Sequence, residues 1–189
     1  MPVRFQHIPQ SNTIYFVSFT CHQWINLFSI THAYETVYKW FDYLNDNNHR
    51  VLGYVIMPNH VHVLLYFDQM QKPLNIYIGN GKRFMAYEII KRLESDKNLK
   101  LLEFLYENVK ATERKKGQRH KVFEDSFDAK ECYSMEFVYQ KLEYIHKNPV
   151  SKKWQLVNDF TDYFYSSAAF YEKGIKHYGN LIHVNEVLI

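Results

Sequence analysis

The stretch that most constrains the fold is VLGYVIMPNHVHVLLYF, residues 51–67. Two apolar runs of strand length flank Pro58-Asn59, a turn-forming pair, so the segment reads as a β-hairpin. Side chains two apart on a strand share a face. His60 and His62 therefore point the same way, while Val61 and Val63 point to the opposite face, toward helices. Two imidazoles on a strand otherwise built of Val, Leu and Tyr need partners, because an unpaired buried polar group costs free energy. Either they are hydrogen-bonded core residues, or their nitrogens converge on one divalent ion, which imidazole suits. The H-x-H spacing alone does not choose between the two.

The chain of 189 residues is of one-domain size, and 47% hydrophobic content is enough for a core. No internal repeat or linker interrupts it, so residues 1–189 read as a single domain. Cys21 and Cys132 form no CxxC pair, which argues against a disulfide framework or a cysteine zinc site and suits a reducing cytosol. The N-terminus has no apolar run of signal-peptide length, and no stretch approaches a membrane span. The expectation is a soluble, cytoplasmic protein with no membrane partner. Residues 82–121 hold twelve Lys or Arg against six Asp or Glu, although the whole chain carries only +3. Such a patch is either the footprint of a polyanion binder or a solvated helix face with a charged loop.

The remaining elements follow from periodicity. Residues 13–28 alternate and read as one strand. Residues 31–46 carry Ala33, Val37, Trp40, Phe41 and Leu44 on a helical stripe, with Thr31 as N-cap. Pro73 opens a helix to about Leu93, weakened by Gly79 and Gly81. Residues 99–110 form a short helix, 111–121 a loop, and 134–148 a helix capped by Ser134 and ended by Pro149. The whole is an α+β domain.

In KLEYIHKNPV, residues 141–150, Tyr144 and Asn148 are four apart and share a helix face. A phenol beside a metal-bound phosphate is a candidate nucleophile, and Asn148 offers an amide oxygen to the same ion. A free phenol titrates at about 10, so it needs a cation or base nearby. The bland alternative is a tyrosine packed on the sheet. His146 lies about 200° around the helix from Tyr144 and is not expected on the metal.

Taken together, MPNHVHVLLY and YIHKNPV resemble the single-tyrosine HUH transposases, most closely the REP-associated tyrosine transposase branch related to short insertion-sequence transposases. FVSFTCHQWINLF is similar to the family's first strand and GKRFMAYEIIKRL to its basic helix. HKVFEDSFD resembles the segment before the tyrosine helix, and DYFYSSAAFY the Tyr-Ser-Ser tail. The likeness covers most of a core at about 13–171, leaving 172–189 as a C-terminal extension. It implies a ferredoxin-like, RRM-like antiparallel sheet with helices packed on one face. It implies cleavage of single-stranded or hairpin DNA with Mg²⁺ or Mn²⁺ through a 5′-phosphotyrosine. By position, His60, His62 and Asn148 would be metal ligands and Tyr144 the nucleophile. Asn148 stands where the insertion-sequence relatives have Gln, one methylene longer. The resemblance implies a homodimer sharing active-site parts if the chain follows the insertion-sequence relatives, and a monomer if it follows the REP-associated branch; the sequence does not choose between the two.

On that reading, Lys82, Arg83, Lys91 and Arg92 on the helix, and Arg114, Lys115, Lys116 and Arg119 in the loop, would hold a DNA backbone. Two other functions remain open. One is a DNA-binding protein on the same fold without strand transfer. The other is a zinc hydrolase, which would need a third ligand such as His22 or His120.

Overall fold

A computed structural model describes residues 12–68 and 72–187. Residues 1–11, where no signal-like run was read, lie outside the described residues, as do 69–71 and the last two residues of the expected extension.

Four strands, β1 (Thr13–Thr20), β2 (His49–Ile56), β3 (His60–Phe67) and β4 (Asp128–Glu131), form one antiparallel sheet in the order β2-β3-β1-β4. The helices are α1 (Leu27–Ile30), α2 (Glu35–Asp46), α3 (Leu74–Ser95), α4 (Leu99–Glu107), α5 (Ala111–Arg114), α6 (Met135–Lys147) and α7 (Ala168–Lys173). With α2 between β1 and β2 and α3 between β3 and β4, the order is the βαββαβ of a ferredoxin-like fold. Among the described residues no helix is long and apolar enough to cross a membrane.

The period-2 rule holds along β3. Val61, Val63, Leu65 and Phe67 enter the larger core, with Trp40 and Phe41 of α2 and Ile78, Met85 and Ile89 of α3. Leu64 faces a second core with Phe16, Leu52, Val138, Leu142 and Ile145. The two-helix layer thus covers one face, and the opposite face is not bare: α6 crosses it. Leu142 approaches β2 where Gly53 leaves a gap, and a Cβ at Gly53 would collide with its Cδ1. Gly53 also lies at a register shift in the β2–β3 pairing.

Several sequence expectations are corrected. The strand expected over 13–28 ends at Thr20, and a 3-10 turn, His22–Trp24, follows. Gln23 and Trp24 take φ of 50° and 59° there, a left-handed backbone that breaks the alternation. Thr31 is not an N-cap: its hydroxyl donates back to the Leu27 carbonyl (2.7 Å), and α2 starts at Glu35. Part of the expected 111–121 loop is the helical turn α5. β4, only four residues long, was not anticipated.

Candidate active site

The second core positions α6 over β3. Ser134 caps α6 by accepting from the Phe137 amide (3.2 Å), and the helix ends at Lys147, with Asn148 still helical at its C-cap. Ser167, in the Tyr-Ser-Ser segment, ties this helix to the sheet. Its Oγ accepts from the Tyr54 amide (2.9 Å), donates to the Tyr54 carbonyl (3.2 Å), and bonds His146 Nε2 (2.8 Å). A hydroxyl has one proton to give, so His146 is the donor in that last bond. His146 is therefore a buried strut, and burial holds it neutral, down at about 4. As expected, it does not line the site.

This docking brings the predicted residues together. His60 and His62 lie side by side on β3, ring centroids 4.7 Å apart, and the Tyr144 ring is 5.2 Å from His62. Phe16 of β1 stacks on His62 at 5.5 Å and meets Tyr144 edge-on at 6.0 Å. His60, His62, Tyr144 and Asn148 all line one open cavity of about 490 Å³. Both histidines are buried, whereas Tyr144 is 51% exposed, its hydroxyl carried by a ring at the cavity edge.

The electrostatics favour ligand chemistry. Burial, with the Lys153 charge second, pushes His60 down to about 4. Burial, then His60 and Lys141, pushes His62 down to about 3. Both are neutral near pH 7, the form in which imidazole binds a cation. Asn59 Nδ2 donates to the Trp24 carbonyl (2.6 Å) and to Asn26 Oδ1 (3.1 Å), so its own Oδ1 is an acceptor. His60 Nδ1 must then donate to that Oδ1 (2.7 Å), which leaves His60 Nε2 with a free lone pair. His62 Nδ1 and Asn148 Oδ1 are buried and have no hydrogen-bond partner. An orphaned buried acceptor such as the Asn148 oxygen is costly, and a divalent cation beside it would relieve that cost. Two imidazoles and an amide oxygen mix borderline and hard donors, a set that suits Mn²⁺ better than the oxygen-seeking Mg²⁺ and leaves positions for phosphate or water. The donor set fits the group.

Among the described residues no three or more His, Cys, Asp or Glu come together as a metal cluster. His22 pairs with Glu124 (3.0 Å) and His120 packs near Tyr106, and neither lines the cavity. The third ligand that a zinc hydrolase needs is not supplied by either.

The eight predicted DNA-contacting residues divide. Lys82 is turned inward, its Nζ donating to the carbonyls of Glu124 (2.6 Å), Asp125 and Ser126, and burial lowers it to about 8. Arg92 pairs with Glu35 and Glu88 and donates to the Thr31 and His32 carbonyls. Arg114 donates to the Tyr106 and Val109 carbonyls. These three brace the fold. Arg83, Lys91, Lys115, Lys116 and Arg119 are exposed. Arg83, Lys91, Lys116 and Arg119 line a second cavity, between α3 and the segment 116–125.

Cations and rings at the site itself escaped the sequence reading. Lys147 and Lys153 line the cavity with Trp24 and Trp154, and Lys141 Nζ lies 5.0 Å from the Phe16 ring. Only the i, i+3 spacing of Lys141 and Lys147 to Tyr144 signalled any of these. Asn59 was read as turn chemistry alone.

Fold and site together define an α+β protein in which a central strand of a ferredoxin-like sheet presents paired histidines to a tyrosine on a crossing helix. The solved structure described as "the REP associates tyrosine transposase bound to a REP hairpin" has the same fold. It matches with a TM-score of 0.58 over 92% of this chain and 88% of that one, at 12% sequence identity. No protein-family model and no curated protein matches the sequence.

Proposed function

We propose that the chain is a single-tyrosine transposase, a metal-dependent enzyme that nicks and rejoins single-stranded or hairpin DNA. The observation that carries this reading is the convergence of His60, His62, Asn148 and Tyr144 on one cavity, where the amide oxygen of Asn148 is buried and unpartnered. The fold shared with a transposase bound to a REP hairpin supports the substrate class.

A Mg²⁺ or Mn²⁺ ion held by His60, His62 and Asn148 would supply charge stabilisation at the scissile phosphate. The Tyr144 hydroxyl attacks phosphorus, and the bond to the 3′ oxygen breaks. The products are a 5′-phosphotyrosine and a 3′-hydroxyl, which takes up the proton given by the phenol. The covalent link keeps the bond energy, so a 3′-hydroxyl can attack it and rejoin a strand without ATP. Lys141, its Nζ 5.9 Å from the Tyr144 ring, offers positive charge as the phenol loses its proton. Burial of both histidines excludes competing protons from their nitrogens. Tyr144, His60, His62 and Asn148 converge on one cavity within a single chain.

The test is a covalent-capture assay. Labelled single-stranded hairpin DNA from beside the gene is incubated with Mn²⁺ or EDTA, and the mixture is denatured. A metal-dependent protein–DNA adduct that disappears in Tyr144→Phe is the expected result. Tight binding with no adduct would instead establish a DNA-binding protein without strand transfer.

A further inference from the structure

Trp24 is 54% exposed, an expensive position for the largest apolar side chain. Its exposure is built in. Gln23 and Trp24 both hold left-handed φ, 50° and 59°, which non-glycine residues adopt only when their surroundings impose it. Those surroundings are specific: the Gln23 amide donates to Glu124 Oε1 (2.9 Å), and Asn59 Nδ2 donates to the Trp24 carbonyl (2.6 Å). The indole that results stands edge-on to His60, ring centroids 5.6 Å apart. Trp154, from the segment after α6, is also 5.6 Å from His60. Lys153 Nζ lies 4.5 Å from the Trp24 ring and 5.5 Å from that of Trp154. Both indoles line the same cavity as His62 and Tyr144.

Resting on the single-strand DNA reading above, we propose that Trp24 and Trp154 are a stacking slot for an unpaired nucleobase flanking the phosphate at His60, with Lys153 holding the neighbouring phosphate. Every base has a π-face that an indole can cover, and stacking of this kind tolerates any sequence. A paired base in a duplex already has its faces covered, so the slot selects single strands. An ammonium beside two indoles matches the alternation of base and phosphate along a strand. Asn59 links the slot to the metal site, since one amide both pins the Trp24 backbone and accepts the His60 proton.

The native chain reports on the slot. It contains three tryptophans, and the third, Trp40, is buried at 3% exposure beneath α3. Intrinsic fluorescence is followed in EDTA on adding single-stranded oligodeoxyadenylate, or an abasic sugar-phosphate strand of equal length and charge. The deoxyadenylate strand should quench emission. The abasic strand should bind roughly 5- to 150-fold more weakly, without quenching. Trp24→Ala and Trp154→Ala should each weaken deoxyadenylate binding by a factor in that range and leave abasic binding unchanged, while Trp24→Tyr keeps most of the affinity. Equal affinity for the two strands, or deoxyadenylate binding unaltered in both alanine variants, would overturn the slot. Because no metal or cleavage is involved, quenching without any covalent adduct sinks the nuclease and upholds the slot. A full yield of adduct from the double alanine variant does the reverse.

Discussion

His60 Nδ1 donates to Asn59 Oδ1 at 2.7 Å, and the side-chain NH₂ of Asn59 is spent on Trp24 and Asn26, so the tautomer of His60 is fixed by a residue that does not itself line the cavity. Asn59→Ala should free the ring and weaken Mn²⁺ binding about 10- to 100-fold, as loss of an outer-shell partner typically does. Calorimetric titration of Mn²⁺ into wild type and variant measures this, and identical affinities would remove Asn59 from the site.

The five exposed cations and the three inward-turned ones should behave differently. Replacing Lys115, Lys116 and Arg119 by Ala should weaken oligonucleotide binding and flatten the plot of log K against log salt by about one unit per lost phosphate contact. Lys82→Met should lower the denaturation midpoint and leave that slope alone. Full affinity of the triple variant at low salt would mean that the segment does not reach DNA.

Two glycines on α3 should give opposite signs. A Cβ at Gly79 meets nothing within 4 Å, so Gly79→Ala should stabilise the protein by about 1 kcal/mol through helix propensity. A Cβ at Gly81 would sit 2.5 Å from the Trp40 indole nitrogen, which is packed and cannot yield. Gly81→Ala should therefore cost about 1–3 kcal/mol despite the same propensity gain. Urea denaturation of both variants decides it, and a shared sign would contradict the packing of α2 on α3.

Acid should find a weak point at His49. It is fully buried between Phe67 and Tyr77, both ring nitrogens lack partners, and burial lowers its pKa from 6.5 to about 4. Between those values the unfolded chain binds a proton that the folded chain refuses. The stability due to neutral His49 is thus whole above pH 6.5 and lost as pH falls toward 4, by about 1.4 kcal/mol per unit. His49→Leu should reduce the steepness of acid unfolding between pH 6.5 and 4 and leave the pH 8 midpoint equal or higher. An acid profile identical to wild type would show that His49 does not set it.

The parts that could be read from the sequence were those governed by short-range periodicity. Alternation placed His60 and His62 on one face, and i, i+4 spacing placed Asn148 beside Tyr144. What escaped reading depends on distant partners. Nothing local announces that Gln23 and Trp24 turn left-handed, because Glu124 and Asn59 impose it. β4 has one buried residue in four and gains its strand character from pairing with β1. Lys82 and Lys91 look alike in sequence, and only the carbonyls of 124–126 tell them apart.

Gly53 gives the molecule a gauge. α6 settles on the sheet to the depth that a missing methyl group allows, and the phenol of Tyr144 travels with it. The distance from the Tyr144 ring to the histidine pair is therefore calibrated by a residue that touches neither. A single methyl there would lift the helix like a shim under a lever, moving the phenol off the histidine pair while every side chain of the cavity stayed in the sequence.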